Sequence, residues 1–336
     1  MIEHPYLLFV GAVTLKSDAK TAFGLRDWRP EACLAQLRLS GCVIDLGLPD
    51  MTPDEAARAG ARTLVIGVAP VGGRIPDAWL PVLRAALSVG LDLAAGLHDR
   101  LNANEELASL AARFGRKLHD VRVPARDYHV ATGRRRSGKR LLTVGTDCAL
   151  GKKYTALAIA REMQRRGTAA SFRATGQTGI LISGSGIPID SIVVDFVAGA
   201  AEALSPDAHL DHWDVIEGQG ALIHPGYAAV TLGLVHGSQP DALVLCHDPA
   251  RHEIEDYPGF AIPPLERVME IYLQAARLTN PGARFVGIAL NTSTLGELDA
   301  AALLARTATV HGLPCIDPLR TGAARIVDAV EAAPWN

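Results

Sequence analysis

Gly145-Thr146-Asp147-Cys148-Ala149-Leu150-Gly151-Lys152 is the stretch whose residue types and spacing could do chemistry most directly. The apolar run Leu141–Val144 leads into it, and Lys153–Arg166 follows with a helix-forming composition. Strand, glycine-bounded loop, Gly-Lys and helix make up the context of a phosphate-binding loop. Glycines let the backbone curl so that successive N–H groups face one anion, and the helix N-terminus adds partial positive charge. Lys152 adds a full charge. Gly145, Thr146, Cys148, Gly151 and Lys152 are therefore the expected anion-binding set. Five residues separate the two glycines, where the common form has about four. The residue after Lys152 is Lys153, where a hydroxyl normally holds Mg²⁺ on a nucleotide. Thr155, two residues on, lies on a different side of the helix turn. Such a loop is suited to binding phosphates and poorly equipped to transfer one.

Other polar groups recur after apolar runs. Glu217-Gly218-Gln219-Gly220 looks like the acidic-glycine turn of dethiobiotin-synthetase-type domains, where the acid sits near phosphates and substrate; a solvated strand end is the plainer alternative. Thr175-Gly176-Gln177-Thr178-Gly179 and Ser183-Gly184-Ser185-Gly186 form a glycine-rich stretch, read as a ligand-approaching loop or lid. Asp190 is an expected helix N-cap. His224, His236 and His247 fall on loops or element ends, where each is either a general base or a surface group. No HxH or HxxxH spacing joins them, so no metal site is expected. Cys148, beside a helix N-terminus and two lysines, has surroundings expected to lower a thiol pKa. Asn291 stands after an apolar run, where many P-loop proteins hold a purine base.

The elements that must position these groups alternate. In the first half, strands are expected at Tyr6–Val13, Cys42–Leu46, Thr63–Gly67 and Leu91–Gly96. Helices are expected at Arg29–Leu39, Asp77–Ser88 and Asn104–Phe114, with a capping box from Thr52 to Glu55. In the second half, strands are expected at Arg140–Thr146, Ala169–Ala174, Trp213–Glu217, Ala242–Cys246, Arg284–Leu290 and near Cys315. Helices are expected at Lys153–Arg166, Ser191–Leu204, Pro225–His236, Leu265–Leu278, Leu298–His311 and near Thr321–Ala332. Strand–helix alternation implies βαβ units and parallel sheets, and ligands bind beyond the carboxyl ends of such strands. The expected division is residues 1–131 as a Rossmann-like α/β domain, 132–139 as a solvated basic linker, and 140–336 as a P-loop three-layer α/β/α domain.

Composition narrows the function classes. A net charge of −3 argues against a nucleic-acid binder. No uncharged apolar run reaches membrane-span length. Five dispersed cysteines without CxxC spacing argue against a disulfide framework or zinc site. The N-terminus lacks a basic n-region and cleavage site, so a cytoplasmic protein with reduced thiols is expected.

Several segments taken together identify a family: Asp18–Leu25, Gly145–Lys153, Thr175–Gly179, Asp195–Glu202 and Glu217–Gly226. The chain resembles the D-glutamate N-acetyltransferase family over nearly its whole length. The resemblance implies a Rossmann-like N-terminal domain, a P-loop C-terminal domain, and acetyl transfer from acetyl-CoA to the amine of D-glutamate in D-glutamate catabolism. The implied partners are these small molecules, without Mg²⁺, and a symmetric homo-oligomer is the expected assembly. A coenzyme A pyrophosphate needs cations and N–H donors, which Lys152 and Lys153 suit. For that chemistry Glu217 and His224, then Asp147, are the candidate bases. Backbone N–H groups of Gly176–Gly179 or Gly218–Gly220 are candidate oxyanion donors. Arg173, Gln177, Thr178, Gln219 and Asp190 are candidate acceptor-binding residues, with Thr155 and Asn291 toward the cofactor. The rival readings are an ATP- and Mg²⁺-dependent kinase or ligase of the dethiobiotin-synthetase kind, and a regulatory nucleotide-binding module.

Overall fold

The computed structural model describes residues 2–335. They form two compact units. The first comprises the chain up to Ala125 together with Gly176–Pro188; the second comprises Arg126–Thr175 and the chain from Ile189 onward.

The first unit runs β1 (Tyr6–Gly11), α1 (Lys20–Trp28), β2 (Cys33–Arg38), α2 (Pro53–Arg58), β3 (Thr63–Ile66), α3 (Leu80–Ser88), β4 (Asp92–Ala95), α4 (Glu105–Phe114) and β5 (Leu118–Asp120). The strands make a wholly parallel sheet in the order β2-β1-β3-β4-β5. Strands β1, β3 and β4 are apolar at most positions and buried throughout, as parallel strands covered on both faces require. Helix α2 starts on the expected capping box, in which Thr52 Oγ1 accepts from Glu55 N at 3.3 Å and Glu55 Oε2 accepts from Thr52 N at 2.8 Å.

Two expectations fail here. Arg29–Leu39 is not a helix: after a short 3-10 turn at Pro30–Ala32 it becomes β2, and the helix is the preceding segment, α1. Ala, Gln, Leu and Arg favour a helix locally, but pairing beside β1 overrides that weak preference. Cys42–Leu46 is not a strand. The buried Gln36 side chain takes the place of a sheet partner: its Nε2 donates to Asp45 Oδ1 at 2.9 Å, and its Oε1 accepts from Leu46 N at 2.8 Å.

The second unit begins with β6 (Lys139–Gly145), α5 (Lys152–Arg165) and β7 (Ala170–Arg173). The chain then contributes α6 (Gln177–Ser183) to the first unit and returns for α7 (Val194–Leu204), β8 (Trp213–Ile216), α8 (Ala228–Ser238) and β9 (Ala242–His247). It closes with α9 (Leu265–Arg277), β10 (Arg284–Leu290), α10 (Glu297–His311), β11 (Cys315–Ile316) and α11 (Ala324–Ala332). The order is β11-β10-β9-β6-β8-β7, again all parallel. β6 lies between β9 and β8, at the point where the winding reverses, which is where doubly wound sheets bind ligands.

Within the glycine-rich stretch 175–186, Gln177–Ser183 is a helix rather than a loop. Its apolar residues need burial: Leu181 joins the first unit's core, and Thr178 Oγ1 lies 2.8 Å from Thr21 Oγ1. Asp190 does not cap α7; the N-cap is Val193, and Asp190 sits in the 3-10 turn Ile189–Ser191. The basic run is not a solvated tether. Arg136 and Arg140 are buried, Arg134 pairs with Asp207, Arg135 with Asp241, and Arg136 donates to Gly237 O at 2.7 Å. Just before that run, the Glu202 carboxylate accepts from Thr132 N at 2.7 Å and Gly133 N at 3.0 Å. Among the described residues, no helix is long and apolar enough to cross a membrane.

Candidate active site

The turn after β6 is gripped from three sides. Tyr272 Oη donates to Gly145 O at 2.8 Å and accepts from Leu222 N at 3.1 Å. Thr143 Oγ1, buried under the turn, accepts from Gly218 N at 3.0 Å. A side chain at Gly218 would begin 1.7 Å from Thr143 O, so only glycine lets the turn after β8 approach this closely. Gly151, at φ +105°, turns the chain into α5 and offers no capping side chain at the end of the helix where an anion is favoured. Lys152 folds back over the turn, with Nζ donating to Asp147 O at 2.6 Å. Burial lowers its pKa. An arriving anion would add negative charge beside this buried ammonium, where Asp147 already favours its charged form.

Asp147 is fully buried, and its carboxylate is spent on the loop itself. Oδ1 accepts from Cys148 N at 2.6 Å; Oδ2 accepts from Glu255 N at 2.9 Å and from Arg251 at 2.8 Å. Arg251 also donates to Cys148 O at 2.9 Å. This geometry makes Asp147 a clasp rather than a proton acceptor. Cys148 runs against the expected lowering: burial raises its thiol pKa, which Lys152 opposes and Asp147 reinforces. Ligand atoms of Asp147, Cys148 and His224 lie within 4.8 Å of one another. Arg251 pairs with Asp147 Oδ2, while Oδ1, the oxygen that faces His224 Nε2, accepts from Cys148 N.

His224 is almost fully buried. Its Nδ1 accepts from Gly226 N at 3.0 Å and Tyr227 N at 3.2 Å. Backbone amides can only donate, so Nδ1 carries no proton and the neutral ring keeps its hydrogen on Nε2. Burial lowers the pKa, with Asp147 opposing and Lys152 adding. Nε2 lies 3.7 Å from Asp147 Oδ1. A neutral imidazole in this tautomer is a hydrogen-bond donor, and its other nitrogen is occupied.

Glu217, at the end of β8, is buried. Its Oε2 accepts from Thr175 N at 3.0 Å, and Thr175 Oγ1 donates to Glu217 O at 2.7 Å. Gln219 Nε2 donates to the same hydroxyl at 3.1 Å. Arg173 ends β7 with its Nε on Asp214 Oδ1 at 2.7 Å. Thr146 Oγ1 is 2.9 Å from His247 Nδ1, and burial brings the pKa of that histidine down to about 4.

Other expected residues lie elsewhere. Thr155 is buried, with its hydroxyl 3.5 Å from Cys246 Sγ, and Lys153 lies over the Tyr154 ring. Asn291 donates to Asp248 at 3.0 Å and accepts from Ser293 N at 3.3 Å. His236 falls within α8. Gln177 and Thr178 belong to the first unit, where Gln177 lines a cleft of about 160 Å³ with Gly96, His98 and Arg122. Sequence reasoning missed Arg251, Tyr257 and Tyr272. Only Arg251 carried a signal, as a cation soon after the polar end of β9.

Comparison with known proteins agrees with this architecture. Residues 38–124 match a family model described as DUF1611_N, a Rossmann-like domain of unknown function, and residues 129–327 match DUF1611_C, a P-loop domain. A D-glutamate N-acetyltransferase of Tritonibacter scottomollicae is 52% identical over 99% of this chain and 100% of its own length. One from a Pseudoalteromonas species is 46% identical over 97% of this chain and 98% of its own length. A crystal structure of a DUF1611 family protein from Anabaena variabilis superposes with a TM-score of 0.90 at 35% identity, covering 98% of this chain and all of that one.

Proposed function

The chain belongs to the DUF1611 family and is an N-acetyltransferase; from that premise we propose that it moves an acetyl group from acetyl-CoA to the amine of D-glutamate, in the breakdown of that amino acid. The observation that carries the choice of donor is the altered phosphate loop. It keeps the glycines, the uncapped helix start and Lys152, but has Lys153 where a magnesium-binding hydroxyl would stand, while Thr155 is turned against Cys246. That set favours holding a pyrophosphate without activating it. The two relatives of nearly full length support the acceptor.

In this reading Glu217 takes a proton from the substrate ammonium, since only the free amine attacks. The amine nitrogen bonds to the thioester carbonyl carbon, and the charge develops on the carbonyl oxygen. N–H donors stabilise that oxyanion; His224 Nε2–H and the amides of Gln219 and Gly220 are the candidates, since the Gly218 amide is held by Thr143 Oγ1. Collapse breaks the carbon–sulfur bond, the electron pair leaves on sulfur, and the second amine proton neutralises the thiolate. Arg173 and Gln219, at neighbouring strand ends, are offered to the acceptor's carboxylates.

A thiol-release assay with acetyl-CoA and D-glutamate, without ATP or Mg²⁺ and beside an L-glutamate control, tests the reading. Release that depends on the D-enantiomer is expected. Turnover only with MgATP, accompanied by ADP, would overturn it in favour of a kinase or ligase.

A further inference from the structure

Beside the loop, His224 begins a group of side chains whose other members have no part in the chemistry above. β8 and β9 flank β6, and the turns that follow them each bring aromatic rings. His224 and Tyr227 come from the first turn, Tyr257 and Phe260 from the second. The rings form one ladder. Tyr227 lies 4.6 Å from His224 at 36°, Tyr257 lies 5.0 Å from His224 at 76°, and Phe260 lies 6.2 Å from Tyr257 at 87°. Gly226 lets the two turns close together, since a side chain there would begin 2.6 Å from Tyr257 Oη.

The inner end of the ladder touches the anion loop through His224 and Asp147. Its outer members, Tyr227 and Phe260, are each 53% exposed. Large rings left half in water at the two ends of one packed ladder are apolar surface that a ligand can cover. What covers them must also suit the loop, which wants phosphates. A planar base tethered to a pyrophosphate satisfies both demands, because every base offers a π-face to an aromatic ring. The carboxamide of Asn291 is engaged at both ends, by Asp248 and by Ser293 N.

We propose that Tyr227, Tyr257 and Phe260 form a stacking shelf for the purine of the phosphate-bearing ligand. Resting on the reading of acetyl-CoA as donor, that purine is its adenine.

The test titrates wild type, Tyr227→Ala and Phe260→Ala with adenosine 3′-phosphate 5′-diphosphate, and separately with inorganic pyrophosphate. Each variant is expected to bind the nucleotide roughly ten- to a hundredfold more weakly, in line with the loss of one base–aromatic stack, and pyrophosphate as wild type does. Tyr227→Phe should restore nucleotide binding. In turnover, the preference for acetyl-CoA over S-acetylpantetheine should fall in both alanine variants. Three results would overturn the shelf: no nucleotide binding by wild type, undiminished binding by both alanine variants, or an equal loss for pyrophosphate, which would mean that the rings only shape the loop. Shelf-dependent nucleotide binding without thiol release would leave the shelf standing and remove acetyl-CoA as donor. Thiol release with undiminished binding by the variants would do the reverse.

Discussion

The turn after β6 and the turns after β3 and β4 stand at corresponding ends of parallel strands, but they are built from different materials. After β6, charged groups are drawn into the interior: Asp147 and Lys152 are buried, and Arg251 and His224 close over them. After β3 and β4, glycines do the work. A side chain at Gly73 would begin 2.5 Å from His98, and one at Gly96 would begin 2.5 Å from Gln177. The first turn holds its shape by compensating charge out of water. The second holds it by the absence of atoms. Each should therefore fail in its own way, the first when one charge is deleted and the second when one methyl group is added.

The largest effect expected is chemical. Glu217→Gln keeps the shape of the turn but removes the proton acceptor, and should lower kcat by roughly 10²–10⁴-fold with little change in donor binding. Full kcat in this variant would remove Glu217 from the mechanism. Next comes the charge clasp. Arg251→Met leaves the Asp147 carboxylate buried without its cation, and should cost about 3–5 kcal/mol in chemical denaturation. Adding Asp147→Asn to that variant should recover part of the loss; if it recovers none, the clasp account is wrong. Smaller is the steric counterpart: Gly96→Ala should destabilise by about 1–3 kcal/mol, the usual cost of overpacking. An equal or larger loss than Arg251→Met would erase the contrast between the two turns.

The smallest effect is a slope. The folded pKa of His247 lies at about 4, below the ordinary histidine value of about 6.5. Between these values the unfolded chain binds a proton that the folded protein refuses. This contribution is thus fully present above about pH 6.5 and is lost as pH falls toward 4, by up to about 1.4 kcal/mol per pH unit. His247→Gln should flatten that part of the stability profile, and an unchanged slope would show that other groups carry it.

What could be read from the residues alone divides by distance along the chain. The phosphate-loop frame, the capping box at Thr52 and strand β10 are local patterns, and each stands where the pattern put it. β2 was misread because its composition is helical and its partner, β1, is more than a helix away. The basic run looked like a solvated linker because its countercharges lie far ahead, Asp207 at 73 positions from Arg134 and Asp241 at 106 from Arg135. Cys148 has lysines beside it in sequence, but its pKa is decided by burial, which adjacent letters do not encode. Arg251 is 104 positions from the carboxylate it holds.

Helix α6 also makes assembly depend on the order of synthesis. The first unit is written mostly in the first 125 residues, yet Leu181 belongs to its core and Thr178 bonds to Thr21 across 157 positions. A ribosome supplies roughly 5–20 residues per second. The N-terminal sheet must therefore wait some seconds after its own strands have emerged, with the α6 side of its core open, while β6, α5 and β7 of the other unit are made. During that interval the nascent chain exposes apolar surface that only its own later sequence can cover. A gene cut after residue 125 would leave that surface exposed permanently.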